Sequence, residues 1–361
     1  MSASTWLGVV VVALAIVFIY YIASGLPPTN PFSGVIGSLV NTSVNLTYPT
    51  TTTTINNTVP QNQTIAYALS LINQDRNKYG LSNVTLAPET SGQQHAQSML
   101  QYHYFSHWDI FGLKPYMRYT LLGGRQAVSE NVAYIYDSRG INVFNAISQM
   151  EYNMMYNDLQ CCNNGHRDNI LDPTHDQVSI GVAYNATTIY FDEDFIDNYT
   201  TWFYGTPTYS NGAVKLQGTL MAPYQVSQVE ISYDPQVMNM TVAQLDNTSS
   251  YSYGNVTAGI GYTSNGKIYS FPGIDTINAS TYVVQGQKFD IAFNMSSQVA
   301  KQGAGEYTVM LWITNGTAGA QTQCHNVTRE GVGIRYCNNF LASTYTVFIN
   351  NRGQQYTPQG I

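Results

Sequence analysis

The apolar residues of this chain change their spacing along the sequence, and that change limits the folds it can adopt. Within residues 64–202, three segments repeat apolar side chains every three or four residues, which is the period of an α-helix. Their members are Ile65, Leu69, Leu71, Ile72 and Arg76; His95, Met99 and Tyr102; and Val143, Ile147, Met150, Met154 and Leu159. Runs at 131–136, 178–184 and 188–195 predict strands. We therefore expect a mixed α+β domain in this part.

Residues 205–361 show a strand pattern instead. Seven apolar runs are separated by clusters of Gly, Asn and Ser, and we find no helical period. The runs are 214–220, 226–233, 268–271, 282–284, 289–293, 307–314 and 345–349. Short strands separated by turn residues predict an all-β, sandwich-like domain.

Residues 6–23 form a nearly continuous apolar run without a charged side chain, just long enough to span a bilayer. We therefore predict that residues 1–25 provide a transmembrane helix, which would make the chain a single-pass protein of the cell membrane. The alternative is a cleaved signal peptide, because Ala23, Ser24 and Gly25 are small residues of the kind found near a cleavage site. The chain would then be secreted. Both interpretations place the remainder of the chain outside the cell.

The composition of residues 26–63, which is rich in Thr and Asn, predicts a disordered stalk. This segment contains a threonine run at 50–54 and no charged side chain, and it cannot bury enough apolar surface to fold alone. The whole sequence has fourteen Asn-x-Ser/Thr sequons, and none lies between Asn83 and Asn185. This pattern favours an extracellular glycoprotein in which the segment between those two residues is kept free of glycans.

Charged side chains make up only 10% of the sequence and are unevenly divided. Residues 64–202 carry seven basic and fourteen acidic side chains, whereas residues 205–361 carry seven of each, so the net charge of −7 belongs to the first part. The sequence offers no basic patch for a nucleic acid, and an acidic domain concentrates cations around it. Fingerprints of phosphate-binding loops, dinucleotide sites and Gly-x-Ser-x-Gly hydrolases do not occur in the sequence.

The four cysteines form two local pairs. Cys324 and Cys337 are thirteen residues apart and predict a disulfide that closes a small loop, as exported proteins allow. Cys161 and Cys162 are adjacent, and the sequence does not decide between a disulfide with each other, bonds to other cysteines and reduced thiols. Oxidising surroundings compete for the sulfurs, which disfavours a thiol metal site.

Five of the six histidines fall within residues 95–175, which makes this segment the place to look for chemistry. Two of them occur with two glutamates in the order His107, Glu130, Glu151, His166. Neutral imidazoles are good zinc ligands, and a carboxylate can bind a metal, orient a ligand or act as a base. We therefore interpret the four residues as a candidate site, with His107 and His166 as ligands of zinc or another divalent cation. A hydrogen-bonded structural brace is the alternative.

Three motifs surround these residues. They are Phe105-Ser106-His107-x-Asp109 with Gly112, Pro115 and Arg118; Ser129-Glu130-Asn131-Val132-Ala133; and Gly165-His166-Arg167-Asp168-Asn169-Ile170-Leu171 followed by Val178-x-Ile180-Gly181-Val182. In this order the motifs resemble the CAP superfamily, also called SCP-like, which includes cysteine-rich secretory, antigen 5 and pathogenesis-related 1 proteins. The resemblance is to compact microbial members and covers about residues 65–199.

The resemblance implies an α-β-α sandwich whose cleft is lined by His107, Glu130, Glu151 and His166. Glu151 rests on its position in a helix, because the tryptophan that often precedes it in the family is missing here. Relatives often have Ser-Pro where this sequence has Cys161-Cys162. Metal binding is known in the family, whereas catalysis is disputed, so the resemblance leaves open whether the chain is an enzyme.

Three functions remain compatible with the sequence. The one we favour is a membrane-anchored extracellular CAP protein that binds a divalent cation in its cleft and interacts with a surface partner, a lipid or a glycan. The second is a secreted hydrolase that uses a metal or His/Glu acid–base chemistry. The third is a structural cell-surface protein that acts through its β domain.

Overall fold

A computed structural model describes residues 59–264, 267–318 and 322–358, and these residues belong to one compact unit. The predicted transmembrane helix and most of the predicted stalk lie outside the described residues. Within the described ranges, no helix is both long enough and apolar enough to cross a membrane. The first helix of the described ranges begins at Gln61, within the last residues of the predicted stalk.

The first part of the chain folds as a four-stranded sheet with helices on both faces. The strand order is β1-β3-β4-β2, in which β1 and β3 are parallel and the other pairs are antiparallel. The elements are α1 (Gln61–Lys78), β1 (Thr85–Leu86), α2 (Ser91–Tyr102), α3 (Pro115–Leu121), β2 (Ala127–Tyr136), α4 (Val143–Tyr156), α5 (Leu159–Cys162), α6 (Gly165–Ile170), β3 (Gln177–Tyr184) and β4 (Thr188–Asp197). The α+β prediction is confirmed for this part.

Alternation of side chains along β4 shows which helix covers each face of the sheet. Asp194 faces α2, where its Oδ2 atom accepts a hydrogen bond of 2.5 Å from the Ser91 hydroxyl. Glu193 faces the opposite side, where Glu151 of α4 lies beside it. Helices α1 and α4 pack together on that side. This is the α-β-α order that the resemblance implies.

The helical periods predict α1, α2 and α4 correctly, with one exception at the end of α4. His95 and Met99 are buried on α2, as the spacing requires. Helix α4 ends at Tyr156, however, and Leu159 starts a separate short helix with 63% of its surface exposed. The apolar period therefore continues by coincidence through the turn between α4 and α5.

The second part contains two sheets whose apolar faces meet in one hydrophobic core. One sheet has the order β10-β9-β8-β14-β17 with β11 paired to β9, and the other has the order β12-β13-β7-β5 with β6 paired to β7. The strands are β5 (Thr200–Trp202), β6 (Thr208–Ser210), β7 (Ala213–Leu220), β8 (Gln225–Pro235), β9 (Asn255–Ser264), β10 (Lys267–Tyr269), β11 (Asp275–Asn278), β12 (Thr281–Gln285), β13 (Lys288–Asn294), β14 (Gly305–Thr314), β15 (Cys324–Arg329), β16 (Val332–Cys337) and β17 (Asn339–Ile349).

Two features of this second part bear on the predictions. Strands β15 and β16 form a hairpin closed by the Cys324–Cys337 disulfide, which confirms that pairing.

Two short helices interrupt the strands, α7 (Val242–Leu245) and α8 (Ser296–Gln302), although the sequence shows no helical period there. The side chain of Thr241 caps α7 by accepting from the backbone N–H of Gln244. Local capping of this kind leaves no trace in apolar spacing.

Partly buried polar contacts join the two parts. Lys114 and Tyr116 of the first part both donate to the carboxylate of Asp234 in β8, over 2.7 Å and 2.6 Å. The hydroxyl of Tyr253 donates to the backbone oxygen of Val128 in β2 over 2.9 Å. These contacts hold the second part against the edge of the first sheet, next to the segments that carry the candidate site.

Candidate functional site

A pocket of about 900 Å³ opens between the two parts. His107, Glu130 and His166 line it from the first part, and Tyr251 and Arg335 line it from the second. The structure thus brings together three of the four residues that the sequence suggests. The loop after α7 and the β15–β16 hairpin form the opposite wall.

His107 is held in place by the buried ion pair of Glu130 and Arg118. Its Nδ1 atom lies 2.8 Å from Oε1 of Glu130, a carboxylate with no exposed side-chain surface. The guanidinium of Arg118, on α3, donates to the other oxygen of Glu130 and to the backbone oxygen of His107. Three residues from separate elements therefore fix one another, and the imidazole of His107 remains 17% exposed toward the pocket.

The charge of Glu130 follows from these partners. Burial alone would raise its pKa, but the Arg118 guanidinium and the hydrogen bond from His107 outweigh that effect and lower the pKa to about 2. Glu130 is therefore ionised at neutral pH and serves as a fixed hydrogen-bond acceptor for Nδ1 of His107.

His166 is held in a similar way by a residue that the sequence analysis missed. Its Nδ1 atom lies 2.6 Å from Oδ1 of Asp158, a side chain that is only 1% exposed. The other oxygen of Asp158 accepts from the backbone N–H groups of His166 and Arg167 at the start of α6. Asp158 directly precedes α5, but its side chain makes no capping hydrogen bond to that helix and reaches the start of α6 instead, so a local capping signal does not reveal this role.

The chain reverses between Asp158 and His166 through two residues with left-handed backbones. Asn163 has a φ of 51° and Asn164 a φ of 64°. Asparagine tolerates this conformation better than most residues with a side chain. The reversal returns His166 to the carboxylate of Asp158, so the position of this histidine depends on the loop rather than on a long helix.

Asn131 connects the base of the pocket to the core. Its amide nitrogen donates to the backbone oxygen of His166 and to Oε2 of Glu193, each over 3.2 Å. Its amide oxygen accepts from Asn169 over 3.0 Å. The asparagine of the Ser-Glu-Asn motif thus fixes the loop that carries His166, a role that the sequence analysis did not assign.

Glu151 lies outside this arrangement. It is 2% exposed, and it is not found among the described residues that line the pocket. Burial, followed by the charge of Glu193 beside it, raises the pKa of Glu151 well above its usual value. The structure therefore places Glu151 in the core beside Glu193, on the side of the sheet covered by α4.

A family model for the cysteine-rich secretory protein family matches residues 69–204. Residues 69–204 form a CAP domain. The match ends where β5 joins the second part, so residues 205–358 lie beyond the CAP domain. No curated protein matches the chain.

Tyr251 extends from the second part to the site of the CAP domain. Its hydroxyl accepts a hydrogen bond of 2.9 Å from the backbone N–H of Glu130. Its ring meets the imidazole of His107 at a centroid distance of 5.1 Å, near edge-on. The tyrosine thus supports both members of the His107–Glu130 pair, although 121 residues separate it from Glu130.

His107 and His166 share one arrangement in the pocket, in which Nδ1 is hydrogen-bonded and Nε2 is available to a ligand. The Nδ1 atom of each is held by a buried carboxylate, and among the described residues no hydrogen-bond partner is found for Nε2 of His107 or of His166. Carboxylate–histidine pairs of this kind orient metal ligands in proteins. An imidazole nitrogen of this kind is the type of donor that zinc and similar divalent cations prefer.

Two compact groups of side chains that could bind a metal occur among the residues that the structure describes. One consists of His95, Glu130 and Asp192, all buried. Burial, more than the nearby charge of Arg118, lowers the pKa of His95 to about 3, so this imidazole is neutral, and its Nε2 atom bonds the backbone oxygen of Ser106. We interpret this group as part of the core of the CAP domain. The other group consists of Asp158, Cys161, Cys162 and His166.

Proposed function

We propose that this chain is an extracellular CAP protein that binds a divalent cation, with zinc the best match, through His107 and His166. The observation that carries the proposal is the pair of buried carboxylates, Glu130 and Asp158, which hold Nδ1 of the two histidines over 2.8 Å and 2.6 Å. Neutral imidazoles presented in this way are typical zinc ligands. Two protein ligands leave coordination positions open for a bound partner.

Electrostatics support the same proposal. The acidic side chains of the chain outnumber the basic ones only in residues 64–202, so the protein attracts cations mainly to the part that contains the histidines. Arg335 lines the wall of the pocket opposite the two histidines. A partner that carries an anionic or polar group can therefore contact the cation and the second part together.

The geometry supports binding better than acid–base hydrolysis. A general base works best when its pKa lies near the working pH. The pKa of Glu130 is lowered to about 2, because the attraction of Arg118 exceeds the effect of burial. Glu151 is buried with a raised pKa and lies outside the pocket lining. Neither glutamate is therefore poised to exchange protons with a substrate at neutral pH.

The second part belongs to the proposed binding surface. Tyr251 and Arg335 line the same pocket as the histidines. A function carried by the β domain alone therefore has less support than one shared by both parts. The apolar run at 6–23 and the sequons support a place at the outer surface of a membrane, where a lipid or a glycan is the kind of partner we propose.

Titration calorimetry tests this proposal. Zinc is titrated into the full-length chain in a mild detergent, and into the His107→Ala/His166→Ala variant. We expect one zinc ion per chain, with binding lost in the double variant. The matched control is His103→Asn/His325→Asn, which changes two exposed histidines outside the pocket and should keep binding. Equal zinc binding by the wild type and the pocket variant would sink the proposal.

A further inference from the structure

The short segment from Asp158 to His166 collects four side chains that can bind a metal. One ligand atom each from Asp158, Cys161, Cys162 and His166 lies within 4.8 Å of all the others. Oδ1 of Asp158 is the centre of this group, 3.5 Å from Sγ of Cys161 and 2.6 Å from Nδ1 of His166. The structure joins the two sulfurs as a disulfide between adjacent residues.

The loop itself keeps the group together whether or not the sulfurs are bonded. The left-handed residues Asn163 and Asn164 reverse the chain after α5. Asp158 then binds the backbone N–H of His166 over 2.9 Å. Since these restraints do not involve the sulfur–sulfur bond, the cysteines stay beside Asp158 and His166 after that bond is broken.

We propose that reduction of the Cys161–Cys162 disulfide creates a second metal site, formed by two thiolates, the His166 imidazole and the Asp158 carboxylate. In the first step the sulfur–sulfur bond breaks as it takes up two electrons and two protons. A dithiol supplies both and becomes a disulfide. A phosphine supplies the electrons and becomes a phosphine oxide, while water supplies the oxygen and the two protons. In the second step a zinc or cadmium ion binds, and the two thiols release their protons to water. Two Cys, one His and one Asp form a four-ligand set that suits tetrahedral zinc.

The disulfide lies where a reductant can reach it. Cys161 is exposed, Cys162 is half-buried, and both line the pocket between the two parts. In its oxidised state the disulfide has no thiolate to offer, so the site is available only after reduction. This site shares His166 with the cation site proposed above but does not use His107, so the variant His107→Ala separates the two sites.

Cobalt(II) is the probe for this site, because a thiolate bound to cobalt gives a charge-transfer absorption that imidazole and carboxylate ligands do not give. The full-length chain carries His107→Ala, which removes the other proposed cation site. It is reduced with a phosphine, and free thiols are counted before cobalt is added. We expect one cobalt ion per reduced chain with the thiolate absorption, and no such absorption in the oxidised chain.

Two cysteine variants separate the two disulfides. In the same background, Cys161→Ser/Cys162→Ser should abolish the thiolate absorption, whereas Cys324→Ser/Cys337→Ser should keep it. The inference is overturned if a chain with reduced Cys161 and Cys162 shows no thiolate absorption. It is also overturned if the absorption disappears with Cys324 and Cys337 instead. A zinc titration that fails in the oxidised wild type contradicts only the function proposed in the preceding section.

Discussion

The hydroxyl of Tyr251 lies 2.9 Å from the backbone nitrogen of Glu130. This contact joins the loop after α7 to the strand of the CAP domain that carries the Glu130 carboxylate. Glu130 in turn holds His107 and Arg118. The second part of the chain therefore supports the candidate site directly, in addition to lining its pocket.

Loss of the Tyr251 hydroxyl should destabilise the fold. In Tyr251→Phe the buried N–H of Glu130 has lost its hydrogen-bond acceptor, which costs roughly 1–3 kcal/mol. Urea denaturation followed by circular dichroism measures the free energy of unfolding. Tyr102→Phe removes a hydroxyl from a side chain that is 40% exposed and should change little. Equal stability of Tyr251→Phe and wild type would show that this contact contributes nothing.

Removal of the Glu130 charge should have a larger effect. Glu130→Gln leaves the buried guanidinium of Arg118 without its carboxylate partner, and breaking a buried ion pair in this way costs roughly 3–5 kcal/mol. Thermal or urea unfolding measures the loss. The control is Asp137→Asn, which breaks an ion pair with Arg139, a side chain that is 88% exposed, and should cost at most about 1 kcal/mol. A similar loss in both variants contradicts a special role for the Glu130 pair.

Much of the CAP domain could be predicted from the sequence, because each helix buries one face. On α1 the predicted residues Leu71, Ile72 and Arg76 are buried, whereas Ile65 and Leu69 are only half-buried. Leu159 was assigned to the wrong helix, because apolar spacing does not show the turn at Asp158. The short helices α7 and α8 depend on local capping and turns, which apolar spacing does not reveal either.

The candidate site could be predicted only in part. His107, Glu130 and His166 lie in recognisable motifs, and the structure brings them to one pocket. Glu151 was placed by its helix position alone, and a position on a helix does not tell whether that face meets a cleft or the core. Tyr251 lies 121 residues from Glu130 along the chain, in a part where we find no motif. Sequence patterns near either residue therefore do not predict this contact.

Asp158 should control the affinity of the His107–His166 site for zinc, although it is not a proposed ligand of the cation in that site. In Asp158→Asn the carboxylate that holds Nδ1 of His166 is lost, and removal of such a support typically weakens metal binding about 10–100-fold. Zinc calorimetry on the oxidised chain measures the change. Asp168→Asn removes an acidic charge from the same pocket at a side chain that is 63% exposed. If both variants bind zinc equally weakly, the weaker affinity results from the loss of one negative charge near the pocket and not from the loss of the Asp158–His166 hydrogen bond.

Asp194 should make the fold less stable as the pH rises. Burial, together with the negative charge of Glu130, raises the pKa of Asp194 to about 8, whereas an aspartate in the unfolded chain titrates near about 4. Between these values the folded state holds a proton that the unfolded state has released. The free energy of unfolding therefore falls as the pH rises, by at most about 1.4 kcal/mol per pH unit for one group.

The variant Asp194→Asn removes this dependence. Its stability relative to wild type should increase between about pH 5 and pH 8, since the amide cannot ionise. Urea denaturation at several pH values measures the difference, with the exposed Asp168→Asn variant as the control. Parallel pH profiles for wild type and Asp194→Asn would refute the raised pKa of Asp194.

The position of a bound zinc ion tests the central claim most directly. Crystals of the oxidised, zinc-loaded chain are measured at the zinc absorption edge, and the anomalous difference map locates the metal. The account predicts one strong peak in the pocket, about 2.0–2.1 Å from Nε2 of both His107 and His166. A pocket without a peak, or a peak that contacts only one of the two histidines, would contradict the account.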